Sequence, residues 1–189
     1  MAVLTDPTAQ RFYDSIRIML INENRHLEKG CLMAYVDPTY GPRIAATGQR
    51  IIAPQSVYTD PDDPTYGYDT EPHVTLKYGF EPDLTKSAVA SIINDVKPFI
   101  LRIRALNQFL NEKYDVVKFE IEQHPILTKL RSRCDMYPNT DSYPDYNPHM
   151  TLAYVKKGTF PHSRDGLNIA VPITRFKYSG PNGKYFINL

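Results

Sequence analysis

Two histidines, each standing two residues before a threonine, carry most of the chemical information in this chain. Residues 70–79 read TEPHVTLKYG and residues 146–155 read YNPHMTLAYV. Aligned on His73 and His149, a preceding proline, the threonines Thr75 and Thr151, a leucine and a tyrosine recur in register. The residue between histidine and threonine is apolar in both copies, Val74 and Met150. An imidazole and a hydroxyl offered twice suit phosphodiester chemistry. A neutral histidine takes a proton from an attacking hydroxyl or water, and a protonated one gives a proton to the leaving oxygen. Threonine hydroxyls hydrogen-bond the non-bridging phosphate oxygens as charge builds there. Two histidines lack the third and fourth ligands of a zinc site, so no metal and no cofactor are expected.

The elements that must position these groups are strands. HVTLKYGF (73–80) and HMTLAYV (149–155) read as extended segments, in which alternate residues share a face. His73, Thr75 and Lys77 are therefore expected on one side, where Lys77 adds a positive charge for phosphate, as an alternative to a solvated strand lysine. His149 and Thr151 form the matching pair. Each strand follows a Pro-, Tyr- and Asp-rich loop, 54–72 and 135–148. The acidic residues there repel phosphate, so these loops are not expected to hold it. Tyr66, Tyr68, Tyr143 and Tyr146 are instead candidates to stack on nucleobases, as aromatic rings do in single-strand recognition. The competing account is that such tyrosines only pack the loops down.

Around this centre the periodicity predicts an amphipathic helix over 7–23 and a buried strand over 31–36. A short strand is expected through Ile51-Ile52, and a helix capped by Asp83 running to about 96. Strands follow over 99–106, with Phe99, Leu101, Ile103 and Ala105 inward, and over 114–122, with Lys118 and Glu120 outward. A helix spans 125–133. The extended segment 167–179 holds Pro172, which marks an edge or bulged strand, and KYFINL closes the chain as a strand. Strand runs with intervening helices indicate an α+β fold.

At 189 residues the chain is expected to form a single domain over 1–189. Its 22 basic residues face 21 acidic ones, a net charge of +1. That balance argues against long nucleic acid, whose grip needs a basic excess. No apolar run reaches membrane length and the start lacks a secretory pattern, so a cytoplasmic monomer with no membrane partner is expected. Cys31 and Cys134 show no metal or redox spacing and read as inert buried thiols. His26, His124 and His162 read as ordinary surface residues.

HVTL at 73–76 and HMTL at 149–152 resemble the paired His-x-Thr motifs of the 2H phosphoesterase superfamily, over about residues 31–189. That group includes LigT-like RNA ligases, cyclic phosphodiesterases, 2′,5′-oligoadenylate phosphodiesterases and phage enzymes that destroy cyclic-nucleotide immune signals. The resemblance implies two pseudo-symmetric, mainly antiparallel lobes with flanking helices around a central cleft, and metal-independent phosphodiester cleavage. By matching position, His73 and His149 are implied as the acid–base pair, with Thr75 and Thr151 as phosphate ligands. Two departures stand out: loop 54–72 where members often have a helix, and the added helix 7–23. The expected substrate is a small nucleotide or short RNA-like molecule. It is a cyclic oligonucleotide, a 2′,5′-oligonucleotide or a 2′,3′-cyclic phosphate end, and anti-defence signalling is a setting suggested by analogy. A protein of the same fold that sequesters such nucleotides without cleaving them is the alternative.

Overall fold

The computed structural model describes residues 29–140 and 145–189; the expected helix 7–23 and Tyr143 lie outside them. Among the described residues, seven strands form one mostly antiparallel sheet with three α-helices and a short 3-10 helix over Pro54–Ser56. The elements run β1 (Gly30–Val36), α1 (Gly41–Ile51), β2 (His73–Phe80), α2 (Lys86–Ile93), β3 (Phe99–Leu110), β4 (Tyr114–Ile121), α3 (Pro125–Cys134), β5 (His149–Lys156), β6 (Ile169–Gly180) and β7 (Gly183–Asn188). In space the strands are ordered β2-β1-β6-β3-β4-β5, with β7 on β6. The two motif strands are thus the ends of the path. Among the described residues no helix is long and apolar enough to cross a membrane.

The two expected lobes are joined by β6. Its first part pairs with β3 from Ile169 to Ile173, and its remainder pairs with β1 from Ile173 to Ser179. Pro172 sits at the changeover, in the interior of the sheet and not at an edge. Its carbonyl accepts from Asp37 N at 2.9 Å, which ties the changeover to the end of β1. The ladder between β1 and β6 shifts register beside Val36, so the expected bulge is present.

Local chemistry explains the helices. In α1, a proline in the first turn and buried Ile44, Ala45 and Gly48 make one apolar face, and Gly48 lies 3.3 Å from the Leu152 carbonyl of β5 if given a Cβ. A larger residue would push α1 off β5. The Ile51-Ile52 pair is therefore the end of this helix and not a strand: Ile52 is buried and Ile51 exposed. A helix does stand between β1 and the first motif, and it is α1; loop 54–72 follows it. Thr85, not Asp83, caps α2, its hydroxyl accepting from Ala88 N at 3.2 Å. Asp83 instead accepts from Tyr178 OH and from Asn182 N. His124 caps α3 by accepting from Ile126 N at 3.2 Å.

One continuous core takes Leu32, Ala34 and Val36 of β1, Val74 and Leu76 of β2, Phe99, Leu101 and Ile103 of β3, and Met150 and Leu152 of β5; Ala105 is buried as expected but lies outside this cluster. Each large apolar side chain so buried contributes about 1.5–3 kcal/mol. Cys31 and Cys134 are free and buried, and burial pushes the Cys134 thiol up to about 12. Asp115, 1% exposed, accepts from Asn111 N at 3.2 Å and Gly158 N at 2.8 Å, tying two turns together. Asp115→Ala leaves both donors unpaired and is expected to destabilise the fold by about 1–3 kcal/mol in denaturant unfolding.

The segments before the motifs cross over. Loop 54–72 runs along β5: Tyr58 N donates to the Tyr154 carbonyl, Tyr154 N to the Gly67 carbonyl and Asp69 N to the Leu152 carbonyl. The segment after α3 runs along β2: Glu81 N donates to Pro138 O and Thr140 N to Gly79 O, while Arg131 donates to Leu76 O. Each strand is held by the approach to the other's histidine.

Candidate active site

His73 and His149 open β2 and β5 and are held in the same way. His73 Nδ1 meets the Glu71 carbonyl at 2.8 Å, and His149 Nδ1 meets the Asn147 carbonyl at 3.0 Å. A carbonyl only accepts, so Nδ1–H is the donor in both rings and Nε2 is left for a ligand. β2 and β5 approach one another, closely enough that the charge of His73 bears on His149.

Each strand is bulged just after its motif. Thr75 opposes Met33 and the next pair is Lys77 with Leu32; Thr151 opposes Lys118 and the next pair is Ala153 with Val117. Leu76 and Leu152 are the extra residues, and a bulge of one residue reverses the alternation beyond it. Lys77 therefore does not share the face of His73 and Thr75. It is 4% exposed and ion-paired at 2.7 Å with Asp135, just past α3. Strict alternation, assumed from the sequence, fails at Leu76 and again at Leu152.

On the histidine side of each bulge, cross-strand pairing sets other groups beside the imidazoles. Around His73, the Tyr35 ring stacks at 5.2 Å between centroids and 15° between planes. Glu71, whose carbonyl orients the imidazole, accepts from Tyr35 OH at 3.2 Å and from Lys177 at 2.7 Å. The Lys177 hydrogen bond holds the Glu71 carboxyl below the ordinary range, against some burial. Burial, reinforced by Glu71, pushes the Tyr35 phenol up.

Around His149 the neighbours are Phe109, edge-on at 5.0 Å, and Glu120, its cross-strand partner. Lys118 opposes Thr151, is 4% exposed, lies 4.2 Å from the Phe109 ring centroid and donates to Glu120 at 3.2 Å. Burial lowers the Lys118 pKa and Glu120 opposes that. Burial pushes Glu120 up, but Asn107, Lys118 and Arg104 outweigh it and hold the carboxyl low. Burial also pushes His149 down to about 4; the Asn147 carbonyl and Glu120 work against this, and the charges of Lys118 and His73 add to it.

Lys118 and Glu120 were expected to face solvent. Their face of β4 is instead the face of His149 and Thr151. The signal available was the burden of apolar residues on both sides of YDVVKFEIE; what it lacked was the register against β5. The hydroxyls of Thr75 and Thr151 are half-buried, and no hydrogen bond engages either among the described residues.

The loop tyrosines divide. Tyr68 donates to the Ile52 carbonyl at 2.7 Å and Tyr146 to the Thr75 carbonyl at 3.1 Å, and both pack against the core. Their hydroxyls hold the loops to the strands and the first helix. Tyr66 lies in an aromatic group with Tyr58, Tyr114 and Tyr154, at centroid distances of 5.0–5.1 Å. Tyr68→Phe is expected to cost about 1 kcal/mol of stability, the worth of one hydrogen bond, with nucleotide affinity unchanged by titration calorimetry. Among the described residues no three His, Cys, Asp or Glu side chains are grouped to hold a metal ion.

The family model of the 2′-5′ RNA ligase superfamily matches residues 44–164. No curated protein sequence matches the chain. Among solved structures, E. coli LigT complexed with 3′-AMP is similar at TM-score 0.57 and 16% identity, over 86% of this chain and 95% of that one. E. coli LigT complexed with NADP+ is similar at TM-score 0.53 and 17% identity, over 86% and 95%. Kluyveromyces marxianus Usb1 with uridine monophosphate is similar at TM-score 0.54 and 9% identity, over 87% and 100%.

Proposed function

The chain belongs to the 2′-5′ RNA ligase superfamily, the 2H phosphoesterase group, and from that premise we propose that it is a metal-independent phosphodiesterase acting on a small nucleotide. The observation that carries the reading is the twofold fixation of the imidazoles, each Nδ1 tied to the carbonyl two residues back. Two such rings on converging strands are what a proton taken on one side of phosphorus and given on the other requires.

His149 is assigned as the base. Its surroundings disfavour a second proton, so it is neutral where most proteins work. Nε2 of His149 takes the proton of the attacking oxygen, water or a ribose hydroxyl, as that oxygen bonds to phosphorus. His73 lies beside Glu71 and Asp69, the latter carboxylate 3.9 Å from Nδ1, and serves as the acid. It gives a proton to the leaving oxygen as the old P–O bond breaks, and exchange with water restores both rings. Thr75 and Thr151 donate to the non-bridging oxygens, and Lys118, opposite Thr151, adds positive charge where the phosphate crowds.

A small nucleotide is favoured by the near-even charge balance and by relatives that hold 3′-AMP, NADP+ and uridine monophosphate. Cyclic oligonucleotides, including immune signals of that form, 2′,5′-oligonucleotides and 2′,3′-cyclic phosphates are the candidates. Incubation with a panel of these in EDTA is expected to yield product. Ligand bound tightly but returned unaltered would establish a sequestering protein instead. Activity abolished by EDTA and restored by zinc would overturn the metal-free mechanism.

The acid side of the pH profile follows from His149. As base it stays competent until pH falls to about 4, so kcat/KM is expected to decline near there and not near 6.5. Stability has the same sign. Between about 6.5 and 4 the unfolded chain binds a proton that the folded state refuses, so stability is present above 6.5 and is lost as pH falls toward 4. The loss is about 3 kcal/mol at most.

A further inference from the structure

Strand β6 crosses the face that carries His73, and it places an arginine there. His73 pairs across the ladder with Tyr35, and Tyr35 pairs with Arg175. Directly opposed residues share a face, so imidazole, phenol ring and guanidinium form one row. The row spans two strand spacings, about 10 Å between the outer backbones, and the reach of an arginine shortens the gap between the charged ends.

Arg175 is held by rings. Its guanidinium lies 4.4 Å from the Phe186 centroid and 5.7 Å from that of Tyr35. Phe186 is itself 44% exposed. Aromatic faces attract a guanidinium but offer no acceptor in its plane. The Nε atom of Arg175 is buried with no hydrogen-bond partner; the charge of Asp37 reaches the guanidinium, but among the described residues no carboxylate lies in ion-pair contact with it. Its neighbour Lys177 differs, since Glu71 already accepts from it at 2.7 Å. A buried N–H without an acceptor is costly, so the guanidinium sits beside the His73 face with hydrogen-bonding capacity that the protein leaves unused. The planar fork of arginine matches two oxygens of one phosphate.

We propose that Arg175, backed by Tyr35 and Phe186, is a subsite for a second phosphate of the substrate, one linkage beyond the phosphate attacked between the histidines. This rests on the phosphodiesterase reading and narrows it. The substrate is then a nucleotide with at least two phosphates on successive sugar positions, as in a linear or cyclic oligonucleotide, and not a mononucleoside cyclic phosphate. Phe186 lines the subsite and offers its free surface to the adjoining base or sugar.

Two ligands that differ by one phosphate test this without any cleavage: 3′-AMP and adenosine 3′,5′-bisphosphate. Neither holds a phosphodiester, so an absence of hydrolytic activity leaves the result readable. By titration calorimetry the protein is expected to prefer the bisphosphate by about tenfold or more, the worth of one charge-assisted pair. Arg175→Ala is expected to reduce that ratio to near unity and Arg175→Lys to keep part of it. Arg175→Gln, which preserves packing, serves if the alanine variant melts early. Equal affinity for the two ligands in the unaltered protein, a preference that survives Arg175→Gln, or failure of both to bind overturns the subsite.

Discussion

His149→Ala is expected to lower kcat by about 10²–10⁴-fold, the usual contribution of a positioned general base. Nothing nearby can replace it. Glu120 is the closest carboxylate by register, but Asn107, Lys118 and Arg104 already occupy it and hold it ionised and weakly basic. His73→Ala is expected to cost a similar factor, and the double variant little more than the worse single one, because the two groups act as a unit. The fold should survive: each imidazole makes its one hydrogen bond to a carbonyl of its own segment, and its aromatic contact is a single ring, Tyr35 for His73 and Phe109 for His149. A second signature separates a lost base from a damaged fold. With His149 gone, the decline of stability between pH 6.5 and about 4 should flatten. An alanine variant that keeps near-normal kcat on a substrate of the native enzyme would remove His149 from the mechanism.

Lys118→Met is the next largest. The substitution keeps the length and apolar body of a side chain that is 4% exposed beside Phe109, so packing changes little. What disappears is the positive charge opposite Thr151, and kcat is expected to fall by about 10²-fold, as when one donor to the developing charge is removed. The pH profile should move as well. Lys118 helps hold His149 down, and its removal also leaves Glu120 with one cation fewer. Both changes favour the imidazolium, so the acid limb of kcat/KM is expected to shift upward from about 4. A fall in kcat with the limb unmoved would mean that Lys118 serves the phosphate alone. No change in either would make it a structural lysine.

Much of this was legible in the residues. The paired His-x-Thr phrase located both motif strands because a histidine, a threonine and alternating apolar residues mean the same thing wherever they fall. The inward set of β3 followed from a plain period of two. The sequence was silent where a single residue breaks that period. The bulges at Leu76 and Leu152 leave no compositional mark, yet they turn Lys77 toward Asp135. The register that makes Lys118 a neighbour of Thr151 is likewise set by pairing between β4 and β5, distant segments of chain. Arg175 was hidden for the same reason, since only the ladder through β1 sets it in a row with His73. Helix α1 was missed because GPRIAATGQRI is short, holds two glycines and ends on a β-branched residue. Tyr68 and Tyr146 looked like recognition residues by composition and are hydroxyl struts by contact.

The crossing of the two pre-motif segments has a further meaning for how this protein can change. β2 and β5 terminate the sheet, and a bare terminal strand invites another chain to add itself and begin aggregation. Here the guards are segments 54–72 and 135–140, each lying along the strand that carries the opposite histidine. Such loops are where substrate preference would ordinarily be re-engineered. In this chain, shortening or swapping one to alter specificity also strips the guard from a sticky strand in the other half. Variants should therefore fail first by self-association, and successful redesign would change residues facing the reaction centre while keeping the backbone partners of Leu152, Tyr154 and Gly79.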